Sequence, residues 1–323
     1  MMYHTPAPLL LSRIAEHAYW AGRYLERAEG TARLVSTHSD LIVDLPRAAT
    51  VGWRPLLAVL GVDPAEVGVT DFPAEEDVIG VLVADDTYPG SVRSSVAAVF
   101  RNLRQMRAVL PADAVELLIE LHHRVEDTAS DAIDRRTRRA WLTAVIRSCQ
   151  TLTAVLNETM SHDDAYCFFT VGRQLERADL TTRVLDVQGS ILTRRATGPL
   201  EPYLDLCFFA ALRSVGALQP FRRTGVPPSA EATVSFLLQD PKCPRTVEHC
   251  LVEAGRWLLE IPGHAPAMAA CAAVQRTLHD VDALALVSDG THEIVDELQR
   301  GIAEIHDQMT ASWFLPAGAQ AMR

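Results

Sequence analysis

Of the chain's 30 basic residues one is a lysine, Lys242, so its positive charge sits on guanidinium groups that stay protonated and favour forked contacts to carboxylates or phosphates. Positive charge is also scarce relative to negative: 41 acidic residues against 30 basic give a formal charge of −11. A duplex nucleic acid or an anionic membrane, which both demand a positive face, is therefore not expected as a partner. No stretch approaches the roughly 18 uninterrupted apolar residues of a membrane span. Met1 to Leu11 has no basic region ahead of its short apolar run, so a cytoplasmic protein is expected. The six cysteines (Cys149, Cys167, Cys207, Cys243, Cys250 and Cys271) form no Cys-x-x-Cys pair and lie in apolar helical patterns, as reduced structural thiols do. There is no Walker-type phosphate loop, no Gly-x-Ser-x-Gly elbow and no His-Glu-x-x-His. Glu120 and His123 have the spacing of di-iron ligands, but no second Glu-x-x-His follows, so neither a metal nor a cofactor is expected.

What is present is 323 residues, 48% of them hydrophobic and 22% charged, enough for a large core and incompatible with a disordered chain. The chain also repeats itself. Gly22-Arg23-Tyr24-Leu25-Glu26-Arg27-Ala28-Glu29, with Thr31 and Arg33, recurs 150 positions on as Gly172-Arg173-Gln174-Leu175-Glu176-Arg177-Ala178-Asp179, with Thr181 and Arg183. At an offset of 155, Asp85, Pro89, Ser91 and Val92 fall on Asp240, Pro244, Thr246 and Val247, and Trp53, Leu57 and Gly61 fall on Phe208, Leu212 and Gly216. Matches in one order indicate tandem duplication.

The periodicity is helical. Ile14, Ala18, Ala21, Leu25, Ala28, Ala32 and Val35 recur at spacings of four and three, as do Phe168, Val171, Leu175, Ala178 and Leu185. Further stripes run through Val92–Met106, Trp141–Leu156, Val247–Ile261 and Ile294–Met309, and no segment alternates with period two at strand length. An all-α fold follows: a tandem-duplicated bundle, residues 10–155 and 160–314, of about five helices a half, packed as one domain with approximate two-fold symmetry. Ser12, Ser161, Ser91 and Thr246 are the expected N-caps.

With Leu25 central to the buried stripe, Tyr19, Gly22, Glu26, Glu29 and Arg33 share one flank of their helix, and Phe169, Gly172, Glu176, Asp179 and Arg183 share it in the second half. Arg23, Arg27, Arg173 and Arg177 point further round, toward the opposite face. A glycine inside a helix costs about 1 kcal/mol relative to alanine, so Gly22 and Gly172 announce a close approach. The candidate ligand-binding set is Arg23, Glu26, Arg27, Arg33, Arg173, Glu176, Arg177, Arg183 and Arg245, able to grip a zwitterionic or phosphorylated ligand. The same residues also read as a structural network, with Glu29 and Arg33 an i, i+4 ion pair. Arg245 stands where the first half has Gly90, which favours the second turn for an anion. The run Arg135, Arg136, Arg138, Arg139 reads most simply as a solvated face, with docking of an acidic partner surface the alternative.

The Gly-Arg-Tyr-Leu-Glu-Arg-Ala-Glu segment behind Tyr19-Trp20, its second copy, and Phe236-Leu237-Leu238-Gln239-Asp240-Pro241 leading into Pro244-Arg245-Thr246 together resemble the alpha-E family of helical domains, over about Leu11 to Phe314. The resemblance implies association with circularly permuted ATP-grasp ligase-like proteins and transglutaminase-like peptidases in a peptide synthesis or modification system. In that family the first turn often reads Asn-Pro and the next helix carries Arg-Glu-Asn; here those places hold Tyr88-Pro89 and Arg101-Asn102-Leu103, making the first-half turn a poorer candidate site than Glu26 or Glu176. The implied role is an accessory or binding subunit for the ligase or its peptide or amino-acid substrate. The alternative is a stand-alone enzyme of amide formation or cleavage with Glu26 or Glu176 as base; adjacent arginines hold a carboxylate's pKa down and weigh against it.

Overall fold

Each long apolar stripe is the buried face of a helix. Ala18, Ala21, Leu25, Ala28, Ala32 and Val35 are all buried along α1 (Ser12–Asp44), and Val171, Leu175, Ala178 and Leu185 are buried along α7 (Asp164–Arg194). The computed structural model describes residues 12–65, 68, 73–194, 199–282 and 292–314. Among these residues every regular element is helical. Between the two long helices come α2 (Arg54–Val59), α3 (Glu75–Ile79), α4 (Val92–Gln105), α5 (Ala112–Thr128) and α6 (Arg135–Thr159). After α7 follow α8 (Leu204–Val215), α9 (Leu218–Arg223), α10 (Ala230–Gln239), α11 (Val247–Leu258), α12 (Ala265–His279) and α13 (His292–Met309). The short helices α2, α3 and α9 were not legible as stripes, and they raise the number of helices above the expected five or so per half.

α1 and α7 are the central pair. Gly22 lies against Phe169 and Gly30 against Leu180, so the two helices run side by side in the same direction. α4, α6 and α8 pack on α1, while α11 and α13 pack on α7. One contiguous apolar core draws residues from α1 through the chain to Phe314, and a smaller cluster joins the end of α1 to α8 through Leu41, Leu45, Cys207 and Phe208. All six cysteines are buried.

The turns are built by their side chains. Asp85 accepts from the backbone N–H groups of Thr87 (2.6 Å) and Tyr88 (3.0 Å), and Ser91 caps α4 by accepting from Ser94 N–H at 2.9 Å. Asp240 accepts likewise from Lys242 (2.9 Å) and Cys243 (2.7 Å), and Thr246 caps α11 by accepting from His249 N–H at 3.4 Å. Ser91 and Thr246 each also donate back to the carbonyl of their turn's aspartate at 2.5 Å. Two expected caps are corrected. α7 is capped by Asp163, whose carboxylate accepts from Ala165 N–H at 3.0 Å, not by Ser161, because the chain turns helical only at Asp164. Ser12 is itself helical, at the first described residue of α1, and so does not cap it.

Candidate functional site

The two mid-helix glycines let α1 and α7 touch backbone to backbone. A Cβ on Gly22 would collide with the carbonyl oxygen of Phe169, and one on Gly172 with the carbonyl oxygen of Tyr19. That approach brings the charged residues of one helix onto the other. Glu26 accepts from Arg177 Nε at 2.9 Å and Nη2 at 2.7 Å, from Arg173 Nη2 at 3.3 Å and from Arg245 Nη1 at 2.6 Å. Glu176 accepts from Arg23 Nε at 2.6 Å and from Arg27 Nε at 2.5 Å and Nη2 at 3.0 Å. Each glutamate is thus held by the arginines of the other helix.

This corrects the expected direction of Arg23, Arg27, Arg173 and Arg177. A helical wheel places the Cα–Cβ bond, whereas a guanidinium at the end of a long stem can turn back by several ångströms. The four arginines turn into the α1–α7 seam, where both glutamates are buried.

The flanking positions extend the network. Glu29 accepts from Arg33 at 2.5 Å, from Arg245 Nη2 at 2.9 Å and from Gln150 on α6 at 3.1 Å; Asp179 accepts from Arg183 Nε at 2.9 Å. Thr31 donates to the carbonyl of Gly90 at 3.4 Å and Thr181 to that of Arg245 at 3.1 Å, tying each long helix to one turn. Gly61 and Gly216, with φ of 67° and 83°, adopt the left-handed region that favours glycine and lie beside Arg183 and Arg33 respectively. Arg245 is not free to hold an anion at the second turn, since its fork bridges Glu26 and Glu29.

The electrostatics follow from this geometry. Burial raises the pKa of Glu26, but the guanidiniums of Arg177, Arg245 and Arg173 outweigh it and hold the carboxyl well below its usual range. Burial acts the same way on Glu176, and Arg23 and Arg27 bring it down to about 2. Carboxylates so held are ionised and weakly basic at neutral pH, poorly suited to accept a proton in catalysis. They are well suited to fix the register of two helices.

Sequence reading placed Tyr19 on the flank without a role and missed His306, Gln150 and Glu75 altogether. Tyr19 accepts from Arg23 Nη1 at 2.9 Å and pairs with His306 Nδ1 at 3.0 Å, linking α13 to the seam. Phe169, 150 positions on from Tyr19, has no hydroxyl, and the buried Nε of Arg173 has no hydrogen-bond partner among the described residues. The arginine run departs from a solvated face at Arg138, while Arg135, Arg136 and Arg139 are exposed: Arg138 is buried against Glu75 and donates to the carbonyls of Ala132 (2.8 Å) and Ile133 (2.7 Å), locking α3 to α6, because a buried carboxylate draws a nearby guanidinium inward. A cleft of about 830 Å³ beside it is lined in part by Asp40, Trp53, Arg139 and Arg213. A second cleft, of about 280 Å³, opens beside the first turn, bordered by Arg27, Tyr88, Gly90, Glu176, Asp179 and Arg183. Among the described residues no helix is long and apolar enough to cross a membrane.

Residues 10–314 match a family model described as a predicted alpha-helical domain with a conserved ER motif. The chain is also 26% identical to an uncharacterized protein of Mycobacterium bovis and to two uncharacterized proteins of Mycobacterium tuberculosis, over 96% of its own length and 38% of theirs. It therefore spans under two-fifths of the curated relatives it matches. No solved structure matches it.

Proposed function

The chain belongs to that family, Alpha-E, and from this membership we propose that it is an accessory or binding subunit of an ATP-grasp-type peptide synthesis or modification system, binding the ligase or its peptide or amino-acid substrate. The observation that carries the reading is the consumption of the Glu-Arg motifs inside the fold. Glu26 and Glu176 accept from arginines of the same chain and are held in their weakly basic form, so the motif works as a clamp and its chemistry favours binding over proton transfer. A cytoplasmic location, where ATP is supplied, belongs to the same reading, as does a transglutaminase-like peptidase as a second partner.

The fold proposal that goes with it is a tandem duplication, residues 10–155 and 160–314, whose halves pair about an approximate two-fold axis as one domain. Reciprocity supports it: Gly22 on Phe169 and Gly172 on Tyr19, Glu26 on Arg177 and Glu176 on Arg27, Gly61 by Arg183 and Gly216 by Arg33. The experiment is affinity purification of the tagged protein from its native host, with and without ATP, read by mass spectrometry. Near-stoichiometric recovery of an ATP-grasp-type ligase is the expected result; recovery of the protein without one contradicts the partnership.

A further inference from the structure

The two turns that close on the α1–α7 seam are built alike but filled differently. In the second, Arg245 reaches over the seam and bridges two carboxylates that already have arginine partners, Glu26 and Glu29, at 2.6 and 2.9 Å. In the first, Gly90 stands in its place, and the corresponding carboxylates, Glu176 and Asp179, border the open cleft of about 280 Å³ instead. Tyr88 folds over Gly90 and donates its hydroxyl to the carbonyl of Leu60 at 3.0 Å, so it takes up room there without supplying a cation. Arg27 and Arg183 line the same cleft, adding positive groups beside the two acids.

We propose that this first-turn cleft is a binding site for a guanidinium-bearing amino acid, free or at the end of a peptide, whose guanidinium bridges Glu176 and Asp179 where Arg245 bridges Glu26 and Glu29. The molecule supplies its own precedent: at the second turn Arg245 lays a further guanidinium over two carboxylates that Arg33, Arg173 and Arg177 already pair. The ligand's carboxylate meets Arg27 or Arg183, which a simple cation cannot do. The cleft volume lies at the lower edge of small-molecule sites, roughly 300 Å³ and upward, and so suits one amino acid better than a nucleotide. The inference rests on the proposed pairing of the two halves and gives a substrate class to the binding role; it does not need the ligase.

The test is calorimetric titration of the full chain with L-arginine and with L-citrulline, which keeps the shape and loses the charge. Saturable binding of L-arginine is expected, with citrulline weaker by about ten-fold or more, as is L-arginine binding to Asp179→Asn, for loss of a charge-assisted bond. The double variant Tyr88→Cys, Gly90→Arg reproduces the Cys243-Pro244-Arg245 sequence in the first turn, and it should abolish binding while melting at or above the wild-type temperature. Equal binding of citrulline, undiminished binding by the double variant, or no binding of L-arginine to wild type overturns the site. Melting separates the premise from the proposal: a double variant that melts well below wild type overturns the pairing of the halves, whereas a stable one with no arginine binding to wild type leaves the pairing standing and removes only the ligand.

Discussion

Replacing Glu26 by glutamine keeps the side chain's shape and removes its charge. Glu26 is 2% exposed and faces the guanidiniums of Arg173, Arg177 and Arg245, so Glu26→Gln turns an amide N–H₂ toward groups that can only donate and leaves three cations short of a counter-charge. Breaking a buried pair by removing one partner costs about 3–5 kcal/mol; because the amide oxygen still accepts, the expectation lies at the lower end, about 3 kcal/mol. Glu176→Gln faces two guanidiniums, one of them Arg27 with a side chain 25% exposed, and solvent screening reduces its cost to about 2 kcal/mol. At roughly 2–4 °C per kcal/mol, Glu26→Gln lowers Tm by about 6–12 °C and Glu176→Gln by less. Scanning calorimetry at neutral pH, with circular dichroism to confirm unchanged helix content, reads both. If both variants melt within about 2 °C of wild type, the network does not hold the helices together and the clamp is refuted.

Other consequences follow from the same geometry. Gly22→Ala forces a Cβ into the Phe169 carbonyl and should destabilise by about 1–3 kcal/mol, whereas Gly80→Ala, with nothing within 4 Å of the added carbon and a helical φ of −53°, should be neutral or mildly stabilising; equal melting shifts contradict the close approach. In acid, Glu26 and Glu176 are more acidic folded than unfolded, so their stabilisation is complete above the unfolded carboxyl pKa of about 4.3 and is lost as pH falls toward the folded values, about 2 for Glu176. Urea midpoints between pH 5 and pH 2 should therefore fall more steeply for wild type than for the Glu26→Gln, Glu176→Gln double variant, and parallel curves contradict this. Arg138→Ala strips the buried partner from Glu75 and should cost about 3 kcal/mol, while Arg135→Ala, on a side chain 74% exposed, should cost under about 1 kcal/mol although both arginines touch Glu75; urea denaturation that ranks them the other way contradicts the assignment.

The parts of the fold that were legible in the sequence are those set by local periodicity and local capping. Val92, Val96, Val99, Leu103 and Met106 are all buried, as are Val247, Leu251, Ala254, Leu258 and Ile261, because a stripe every three or four residues leaves a helix one way to hide it. Ser91, Thr246 and the Glu29–Arg33 pair act within four residues and follow the same logic. The site was legible as a set of residues and not as an arrangement. Glu26 and Arg245 are 219 positions apart and Glu75 and Arg138 are 63 apart, so only the packed fold joins them, and the reach of an arginine stem hides its destination from a helical wheel. Gly22 and Gly172 were the best signal available, since a costly residue inside a helix marks where another backbone comes close.

The central claim is that the Glu-Arg motifs bind α1 to α7 across the seam. A double-mutant cycle on Glu26 and Arg177, using Glu26→Gln and Arg177→Met with urea unfolding of all four proteins, measures it most directly, because the pair is bidentate at 2.9 and 2.7 Å and buried on both sides. The expected coupling is about 1–3 kcal/mol, the double variant being less unstable than the sum of the single ones. A coupling near zero, with each substitution acting alone, contradicts the clamp.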